Sequence, residues 1–274
     1  MSDLQINQVL DMQERGLHYG DGLFETLLQL NGEILLWSAH YARLSKGCDK
    51  LHILLPEEKW LLAKIEAETK GHDSAVIKVI VTRGIGGRGL ELPKYSRASV
   101  FVLRYPYTAI NQAELEIDVG LCQTRLPINQ NLAGLKHLNR LDYVLAAIEL
   151  GSMDNKNEAI LCDSDGYIVE GIISNLFFCL QGEVYTPSLE FAGVEGIMRQ
   201  QILKHLEDQA IPVQIGRFQP DLLLNASECF LCNSVHGVRP IRSIDDVKYS
   251  TGAISQMLIK VFNLNGNSIS IVTG

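Results

Sequence analysis

The sequence predicts an α+β fold, in which helices and strands follow one another without the regular strand–helix–strand repeat of a doubly wound sheet. Three observations support this class. β-rich runs meet at tight turns, as at Asn31-Gly32 and at DSDG (residues 163–166). Apolar residues at helical spacing lie between several of these runs. The 274 residues, 46% hydrophobic and 20% charged, have the composition of a globular protein with a sizeable core.

The first part of the chain is predicted to form a hairpin, two helices and two further strands. Ser38 is a suitable helix cap, and Pro56 precedes the second helix, which is the position that proline favours. The predicted strands are 22–30, 33–37, 75–82 and 99–105, and the predicted helices run from Ser38 to about Cys48 and over 57–69.

The sequence loses its periodicity over residues 105–113, which predicts a domain boundary. We therefore expect a small α/β domain over 1–107, a linker over 108–113 and a larger domain over 114–274 with an irregular, barrel-like core. Its predicted strands are 115–122, 158–169 as a hairpin, 175–185 as a pair, 213–216, 229–233 and the extreme carboxyl end, and its predicted helices are 139–151, 196–209 and 251–263.

Charge and hydropathy exclude several classes of partner. A net charge of −8 and a pI near 5.4 do not suit duplex DNA or an anionic membrane, which both require clustered lysine and arginine. No apolar run approaches the roughly 20 residues that a membrane span needs. The amino terminus carries acidic residues and lacks an apolar run of signal length, so a cytoplasmic protein that binds neither nucleic acid nor membrane is expected.

Two motifs have simple structural interpretations. Cys229 and Cys232 form a CxxC pair inside a strand-like run, with no second pair at zinc spacing, so buried thiols and no metal site are expected. GIGGRG (residues 84–89) matches a dinucleotide-binding pattern, but LELP follows it where a helix would have to begin. It is predicted to be a loop between two strands that carries Arg83 or Arg88 to an anionic ligand.

Four segments place glycines and polar residues at predicted element ends: HYGDG (18–22), AGLKHLNR (133–140), VEGIISNLF (169–177) and AGVEGIMR (192–199). Together, in this order, they resemble the fold type IV family of pyridoxal 5'-phosphate enzymes, which contains branched-chain and D-amino acid aminotransferases and aminodeoxychorismate lyases. The resemblance covers residues 15–240. It implies a two-domain α+β fold whose larger carboxyl-terminal domain has a β-barrel-like core and carries the cofactor lysine.

Three segments are most similar to those of the lyases: GLKHLNRL (134–141), TRGIGGRG (82–89) and GVEGIMRQ (193–200). This similarity implies the conversion of 4-amino-4-deoxychorismate to 4-aminobenzoate and pyruvate, in folate biosynthesis. Leu141 stands where branched-chain aminotransferases carry a tyrosine, and Leu90, two residues after Arg88, replaces the histidine of the D-amino acid enzymes' carboxylate-binding pair. A D-amino acid or branched-chain type aminotransferase remains the alternative, followed by a homologue without catalytic activity.

The resemblance also implies the roles of individual residues. Lys136 corresponds to the lysine that binds the cofactor covalently and moves protons, since an amine can form a Schiff base and act as a base. Glu170 corresponds to the carboxylate that pairs with the cofactor's ring nitrogen. Arg43 corresponds to the phosphate-binding arginine.

The remaining implied contacts concern the phosphate and the substrate. Backbone N–H groups at a helix start bind phosphate, and here they belong to Gly196, Ile197 and Met198. Ser234 falls where relatives place a phosphate-binding hydroxyl. Arg88 and Thr26 are expected to bind the small-molecule substrate, in a segment where Glu25 and Tyr19 also line relatives' pockets. Asn175 is expected to brace the turn that holds Glu170, and relatives form homodimers.

Overall fold

A four-stranded antiparallel sheet is the framework of the amino-terminal part of the chain in the computed structural model, which describes residues 10–94, 97–111 and 114–262. The strands lie in the order β2-β1-β3-β4. Alternate residues of β3 are buried, which is the period expected for a strand with one face on the core. The elements of this part are α1 (Arg15–Tyr19), β1 (Gly22–Leu30), β2 (Glu33–Ile34), α2 (Trp37–Leu51), α3 (Glu58–Thr69), β3 (Ala75–Thr82) and β4 (Ser99–Tyr105).

The predicted hairpin turn at Asn31-Gly32 is confirmed. Both residues have positive φ (52° and 80°), as a type I′ turn requires, and Leu30 pairs with Glu33 across it. Strand β2 is shorter than predicted, because Leu36 adopts a left-handed conformation (φ 55°) and helix α2 begins at the next residue.

A longer, mixed sheet forms the framework of the rest of the chain. Its strands lie in the order β10-β9-β8-β11-β12-β5-β6-β7, with β13 paired to β12. Strand β5 pairs in parallel with both β6 and β12. The elements are β5 (Ile117–Leu126), α4 (Leu141–Leu150), β6 (Glu158–Asp163), β7 (Ile168–Gly171), β8 (Asn175–Leu180), β9 (Glu183–Pro187), α5 (Ile197–Asp208), β10 (Val213–Gly216), β11 (Glu228–Asn233), β12 (Gly237–Ile244), β13 (Val247–Lys248) and α6 (Ala253–Phe262).

The core of this second part lies on the sheet. Phe177 and Phe230 are fully buried on neighbouring strands, and their rings stack with centroids 5.1 Å apart. Helix α4 packs on β5 and β6 and buries Ala146 against them. The DSDG turn joins β6 to β7 as predicted, with Gly166 at φ 87° and its N–H donating to the Asp163 carbonyl at 2.9 Å.

The chain divides into two compact units. The first contains residues 1–108 together with Lys136–Asn139, and the second contains Ala109–Leu135 and Arg140–Gly274. The sequence predicted Lys136 in the larger carboxyl-terminal domain, whereas its segment groups with the first unit, because its backbone pairs with β1. The Phe24 N–H donates to the Lys136 carbonyl at 2.9 Å, and the Leu138 N–H donates to the Gly22 carbonyl at 3.0 Å.

The predicted α+β class is confirmed, and most predicted elements are present with shifted ends. The sequence missed α1, β12 and β13, and the strand predicted at the extreme carboxyl end lies outside the described residues. In the described part of the chain, no helix is long and apolar enough to cross a membrane.

All six cysteines are buried. Burial raises the pKa of Cys48, Cys122 and Cys179 to about 12, so these thiols stay protonated. Within residues 10–94, 97–111 and 114–262, no group of three or more His, Cys, Asp or Glu side chains is placed to hold a metal ion.

Candidate active site

Lys136 lies in the first unit beside strand β1. Its Nζ is 4.6 Å from the centroid of the Phe24 ring, and the Nζ of Lys78, on β3, is 4.9 Å from the same centroid. Thr26 is the sheet partner of Lys78 and lies on the same face of β1 as Phe24. Burial lowers the pKa of Lys78. Two amines therefore flank one aromatic ring next to a threonine, an arrangement that suits an anionic ligand.

Arg43 is held by a buried carboxylate. Its Nε donates to Glu25 Oε1 at 2.8 Å, and its Nη2 donates to Glu25 Oε2. His40 Nδ1 hydrogen-bonds Glu25 Oε2 at 2.7 Å, and both His40 and Glu25 are almost fully buried. Burial alone would raise the pKa of Glu25, but the Arg43 charge and the bonds from His40 and Arg43 lower it to about 2. The guanidinium thus has a fixed orientation.

His40 is expected to be neutral. Burial is the main reason that its pKa is lowered, and the charges of Arg43 and Lys136 lower it further. A neutral imidazole that donates through Nδ1 carries a lone pair on Nε2. His40 Nε2 is buried without a hydrogen-bond partner among the described residues.

Arg83 is a structural residue, so the prediction that it reaches a ligand is not supported. Its Nε and Nη2 donate to Asp21 at 2.8 and 3.0 Å, and its other bonds go to the carbonyls of Leu51 and His52. Arg88 is exposed on the same glycine-rich loop. Of the two arginines proposed for an anion, only Arg88 presents its side chain to solvent.

The glycine-rich loop joins β3 to β4, as predicted, and Arg15 holds it in shape. Arg15 is 3% exposed, and its Nη1 donates to the carbonyls of Glu91 (3.1 Å), Gly89 (3.2 Å) and Gly86 (3.4 Å). Its Nε donates to Asp21 at 2.9 Å. Gly86 and Gly89 have positive φ (111° and 61°), which glycine adopts without strain.

Glu170 lies in the second unit, 3% exposed, at the end of β7. Tyr143 Oη donates to Glu170 Oε1 at 2.5 Å, and Asn175 Nδ2 donates to Oε2 at 2.9 Å. The Val194 N–H lies 3.1 and 3.0 Å from the two oxygens. Gly193 (φ 90°) passes so close to the carboxyl group that a Cβ there would overlap Val169 and contact Glu170.

Asn175 connects Glu170 to the segment that precedes helix α5. Its Nδ2 also donates to the Val194 carbonyl at 3.0 Å, and a Cβ on Gly196 would overlap its side chain. Asn175 therefore braces the Glu170 turn, as the sequence predicted. Gly196 caps α5 without a side-chain hydrogen bond, and Ile197 and Met198 form the buried first turn. A helix start of this kind carries the partial positive charge that attracts anions.

Ser234 lies, half-buried, in the turn between β11 and β12. The neighbouring Asn233 shapes this turn, because its Oδ1 accepts hydrogen bonds from the N–H groups of Val235 (3.0 Å) and His236 (2.7 Å). Asn233 Nδ2 donates to Ser174 Oγ at 3.1 Å, which ties the turn to the loop before β8. Within the second unit, Glu170, Gly196, Ile197 and Met198 thus meet through Asn175, and Ser234 lies in the adjacent turn.

Sequence reasoning missed three residues that contact the predicted site residues: Lys78, Tyr143 and His40. Lys78 carried a signal, since it interrupts the apolar strand 76–81 with a charge. Tyr143 carried none, because an aromatic residue in a helix is ordinarily a packing residue. His40 was assigned only to the helical pattern of α2.

The comparisons with known proteins agree with these observations. The family model for class IV amino-transferases matches residues 22–244. The chain belongs to the class IV aminotransferase family. It is 34% identical over 233 residues to an aminodeoxychorismate lyase of Vibrio harveyi, covering 84% of this chain and 86% of that protein.

A solved structure gives the same result. The 4-amino-4-deoxychorismate lyase of Pseudomonas aeruginosa is 37% identical, with a TM-score of 0.86 over 92% of this chain and 93% of that chain. A putative branched-chain-amino-acid aminotransferase of Methanocaldococcus jannaschii is 28% identical over 235 residues, 85% of this chain and 81% of that protein. The predicted family and fold are confirmed.

Proposed function

We propose that this protein is an aminodeoxychorismate lyase, which releases pyruvate from 4-amino-4-deoxychorismate and leaves 4-aminobenzoate for folate biosynthesis. The observation that carries the proposal is the 37% identity and TM-score of 0.86 to a protein of that name over 92% of the chain. The Vibrio harveyi relative has the same activity in its name. We also propose a cytoplasmic homodimer.

Each unit, taken by itself, contains residues that fit groups of pyridoxal 5'-phosphate. The first unit has an amine at Lys136 and an oriented guanidinium at Arg43. The second unit has a buried carboxylate at Glu170 and a helix start at Gly196 without a side-chain cap. When bound, this cofactor supplies an electron sink that stabilises negative charge on the carbon bearing the substrate's amino group.

Each of these residues has one task in the proposal. Lys136 binds the cofactor covalently, and Arg43 binds its phosphate. The backbone N–H groups of Gly196, Ile197 and Met198 bind the phosphate from the helix start, and Ser234 Oγ donates to it. Glu170 faces the ring nitrogen and keeps it protonated. Its carboxylate accepts the hydrogen bonds from Tyr143, Asn175 and the Val194 N–H, as a negatively charged carboxylate does.

Lys136 moves the proton in the reaction. Its Nζ would accept the proton from the carbon that bears the substrate amine. The bond between the ring carbon and the ether oxygen then breaks, its electron pair leaves with the oxygen on the enolpyruvyl group, and the ring becomes aromatic. Protonation of the enolpyruvyl group yields pyruvate. The Phe24 ring, 4.6 Å from Nζ, supports the amine in this position.

The substrate is a dianion, so its two carboxylates require cationic partners. Arg88 and Thr26 remain our proposed substrate contacts, and Lys78 joins them because its Nζ faces the same ring as Lys136. Arg88 lies on the loop that Arg15 holds, and Lys78 lies on β3 opposite Thr26.

An aminotransferase is the alternative activity. The 28% identity to a putative branched-chain-amino-acid aminotransferase supports it. The sequence departs from that class at Leu141, which is 71% exposed at the start of α4 and carries no hydroxyl group for the cofactor. The lower identity and this departure favour the lyase.

The test is release of pyruvate and 4-aminobenzoate from 4-amino-4-deoxychorismate by the purified protein with pyridoxal 5'-phosphate. We expect both products in equal amounts, and none from Lys136→Ala. Borohydride reduction followed by peptide mass spectrometry should place the cofactor on the peptide that contains Lys136. Amino-group transfer from D-alanine or a branched-chain amino acid, without release of either product, would replace the lyase with the aminotransferase.

A further inference from the structure

We infer that Tyr143 is a positioning residue for the cofactor: its hydroxyl group orients the Glu170 carboxylate toward the cofactor's ring nitrogen. This inference rests on the proposed function, because it assigns Glu170 to that nitrogen. It adds a residue that no motif of the sequence marked, seven positions after Lys136 in the helix that begins at Leu141.

The hydrogen bond between Tyr143 and Glu170 is short and shielded from water. Tyr143 Oη lies 2.5 Å from Glu170 Oε1, and Glu170 is 3% exposed. A hydrogen bond from a neutral hydroxyl to a carboxylate is among the stronger kinds, and exclusion of water strengthens it further. Asn175 binds the other oxygen, Oε2. A donor on each oxygen fixes the plane of the carboxyl group.

Tyr143 is suited to be a permanent donor. Burial raises its pKa well above the ordinary value, and the negative charge of Glu170 raises it further, while Arg140 opposes them. The phenol therefore keeps its proton at neutral pH. A neutral phenol can donate this bond, whereas a phenolate beside a carboxylate would repel it.

The ring of Tyr143 is itself held in place. The guanidinium carbon of Arg140 lies 4.5 Å from the ring centroid, and Arg140 Nη2 donates to the Leu135 carbonyl at 3.0 Å. The cation–π contact and this hydrogen bond join the ring to the residue just before Lys136. Arg140, Tyr143 and Glu170 therefore form one connected chain of contacts in the second unit.

Tyr143→Phe tests the inference, because it removes the hydroxyl group and keeps the ring. Tyr185→Phe is the matched control, since Tyr185 Oη also donates to a glutamate, Glu183, at 2.9 Å. The full chain is loaded with pyridoxal 5'-phosphate labelled with ¹⁵N in the ring. The measurements are the cofactor's dissociation constant and the ¹⁵N chemical shift, which reports the hydrogen bond at the ring nitrogen.

We expect Tyr143→Phe to weaken cofactor binding about tenfold, the effect of one hydrogen bond to a charged group, and to shift the ¹⁵N resonance. Tyr185→Phe should match the wild type in both measurements. If Tyr143→Phe also matches the wild type, the inference is overturned. If the wild type neither binds the cofactor nor releases pyruvate, the proposed function fails instead.

A second measurement does not depend on the folding of Tyr143→Phe. In cofactor-free protein labelled with ¹³C at tyrosine Cζ, nine tyrosine signals report ionisation. Glu170→Gln removes the charge that disfavours the phenolate, so one tyrosine should ionise at lower pH in this variant than in the wild type. Identical titrations of all tyrosines in both proteins would show that Tyr143 and Glu170 are not coupled, and would overturn the inference.

Discussion

Two buried glutamates show how the same side chain is tuned in opposite directions by its neighbours. Glu25 faces the Arg43 guanidinium and a ring nitrogen of the neutral His40, and its pKa falls to about 2 despite burial. Among the described residues, Glu158 accepts hydrogen bonds from the Ile173 N–H and Ser174 Oγ, both at 3.0 Å. Burial dominates there, and it raises the pKa of Glu158 to about 7.

Glu158 makes the folded protein less stable as pH rises. Its pKa in the folded protein lies above the ordinary value of 4.5, so the folded state holds a proton that the unfolded state has lost. Stability contributed by that proton is fully present below pH 4.5 and is lost as pH rises to about 7. The difference amounts to about 3 kcal/mol.

We expect Glu158→Gln, which stays neutral, to remove this slope. The free energy of unfolding in urea should be measured for both proteins at pH 5 and at pH 8. We expect it to fall between these pH values by more in the wild type than in the variant. Parallel losses in both proteins over that range would contradict the assignment.

Lys78 should contribute to substrate binding through its charge. Its ammonium group shares the Phe24 ring with Lys136, at 4.9 and 4.6 Å. Lys78→Met is expected to raise KM for 4-amino-4-deoxychorismate about tenfold or more, with a smaller effect on kcat. Lys64→Met is the control, since Lys64 lies 5.9 Å from the Trp60 ring on α3. Equal KM values in both variants would exclude a role for Lys78 in binding.

At the residue scale, the motifs gave candidate side chains but not the partners that hold them. Glu25 was expected to line a pocket, whereas in the structure its carboxylate accepts hydrogen bonds from Arg43. Arg83 was expected to bind a ligand, whereas its guanidinium donates hydrogen bonds to Asp21 and to two backbone carbonyls. These pairings join residues 18 and 62 positions apart, and local patterns contain no information on such contacts.

At the scale of elements, strand predictions succeeded for apolar runs bounded by turns, such as β6, β8 and β11, and failed for elements with an atypical sequence. Strand β12 contains Pro240, which lacks a backbone N–H and normally disfavours a strand between two neighbours. Pro240 is nevertheless paired with Phe230 of β11. Helix α1 has only five residues, too few for a periodic pattern.

The glycine-rich loop is predicted to depend on Arg15. Arg15→Lys keeps the charge but removes the fork of donors that reaches three loop carbonyls and Asp21. We expect a loss of about 3 kcal/mol in the free energy of unfolding, because buried acceptors lose their donors. Hydrogen exchange at residues 84–91 should accelerate.

Arg242→Lys is the control for this substitution, because Arg242 binds a single carboxylate, Asp118, on an exposed surface. It should change stability by less than about 1 kcal/mol. Unchanged exchange of the loop in Arg15→Lys would show that the glycines hold its shape without the arginine.

At the scale of the whole molecule, composition and periodicity predicted two folded parts but not the path of the chain between them. Residues Lys136–Asn139 belong to the first unit, although the residues before and after them belong to the second. The bonds of this segment to Gly22 and Phe24 span more than a hundred positions. A boundary read from a loss of periodicity cannot detect such a crossing, since it assumes that each domain is one continuous segment.

Helix α4 presents an apolar stripe that supports the proposed homodimer. Leu141, Val144, Leu145 and Ile148 recur at helical spacing and are 71%, 49%, 48% and 64% exposed. A contiguous apolar surface of this kind marks an interaction site more often than scattered apolar residues do. A second copy of the chain is the partner that the family resemblance implies.

A charge in this stripe should therefore separate the subunits. Ile148→Glu places a carboxylate in the apolar contact, and desolvation of that charge without a partner opposes association. We expect analytical ultracentrifugation to find the wild type as a dimer and this variant shifted toward the monomer at the same concentration. Leu224→Glu is the control, because Leu224 is 60% exposed in a short 3-10 helix after β10, away from α4 in the sequence. A dimer that persists in Ile148→Glu would place the subunit contact elsewhere on the chain, because a buried carboxylate in the contact would cost several kcal/mol of association free energy.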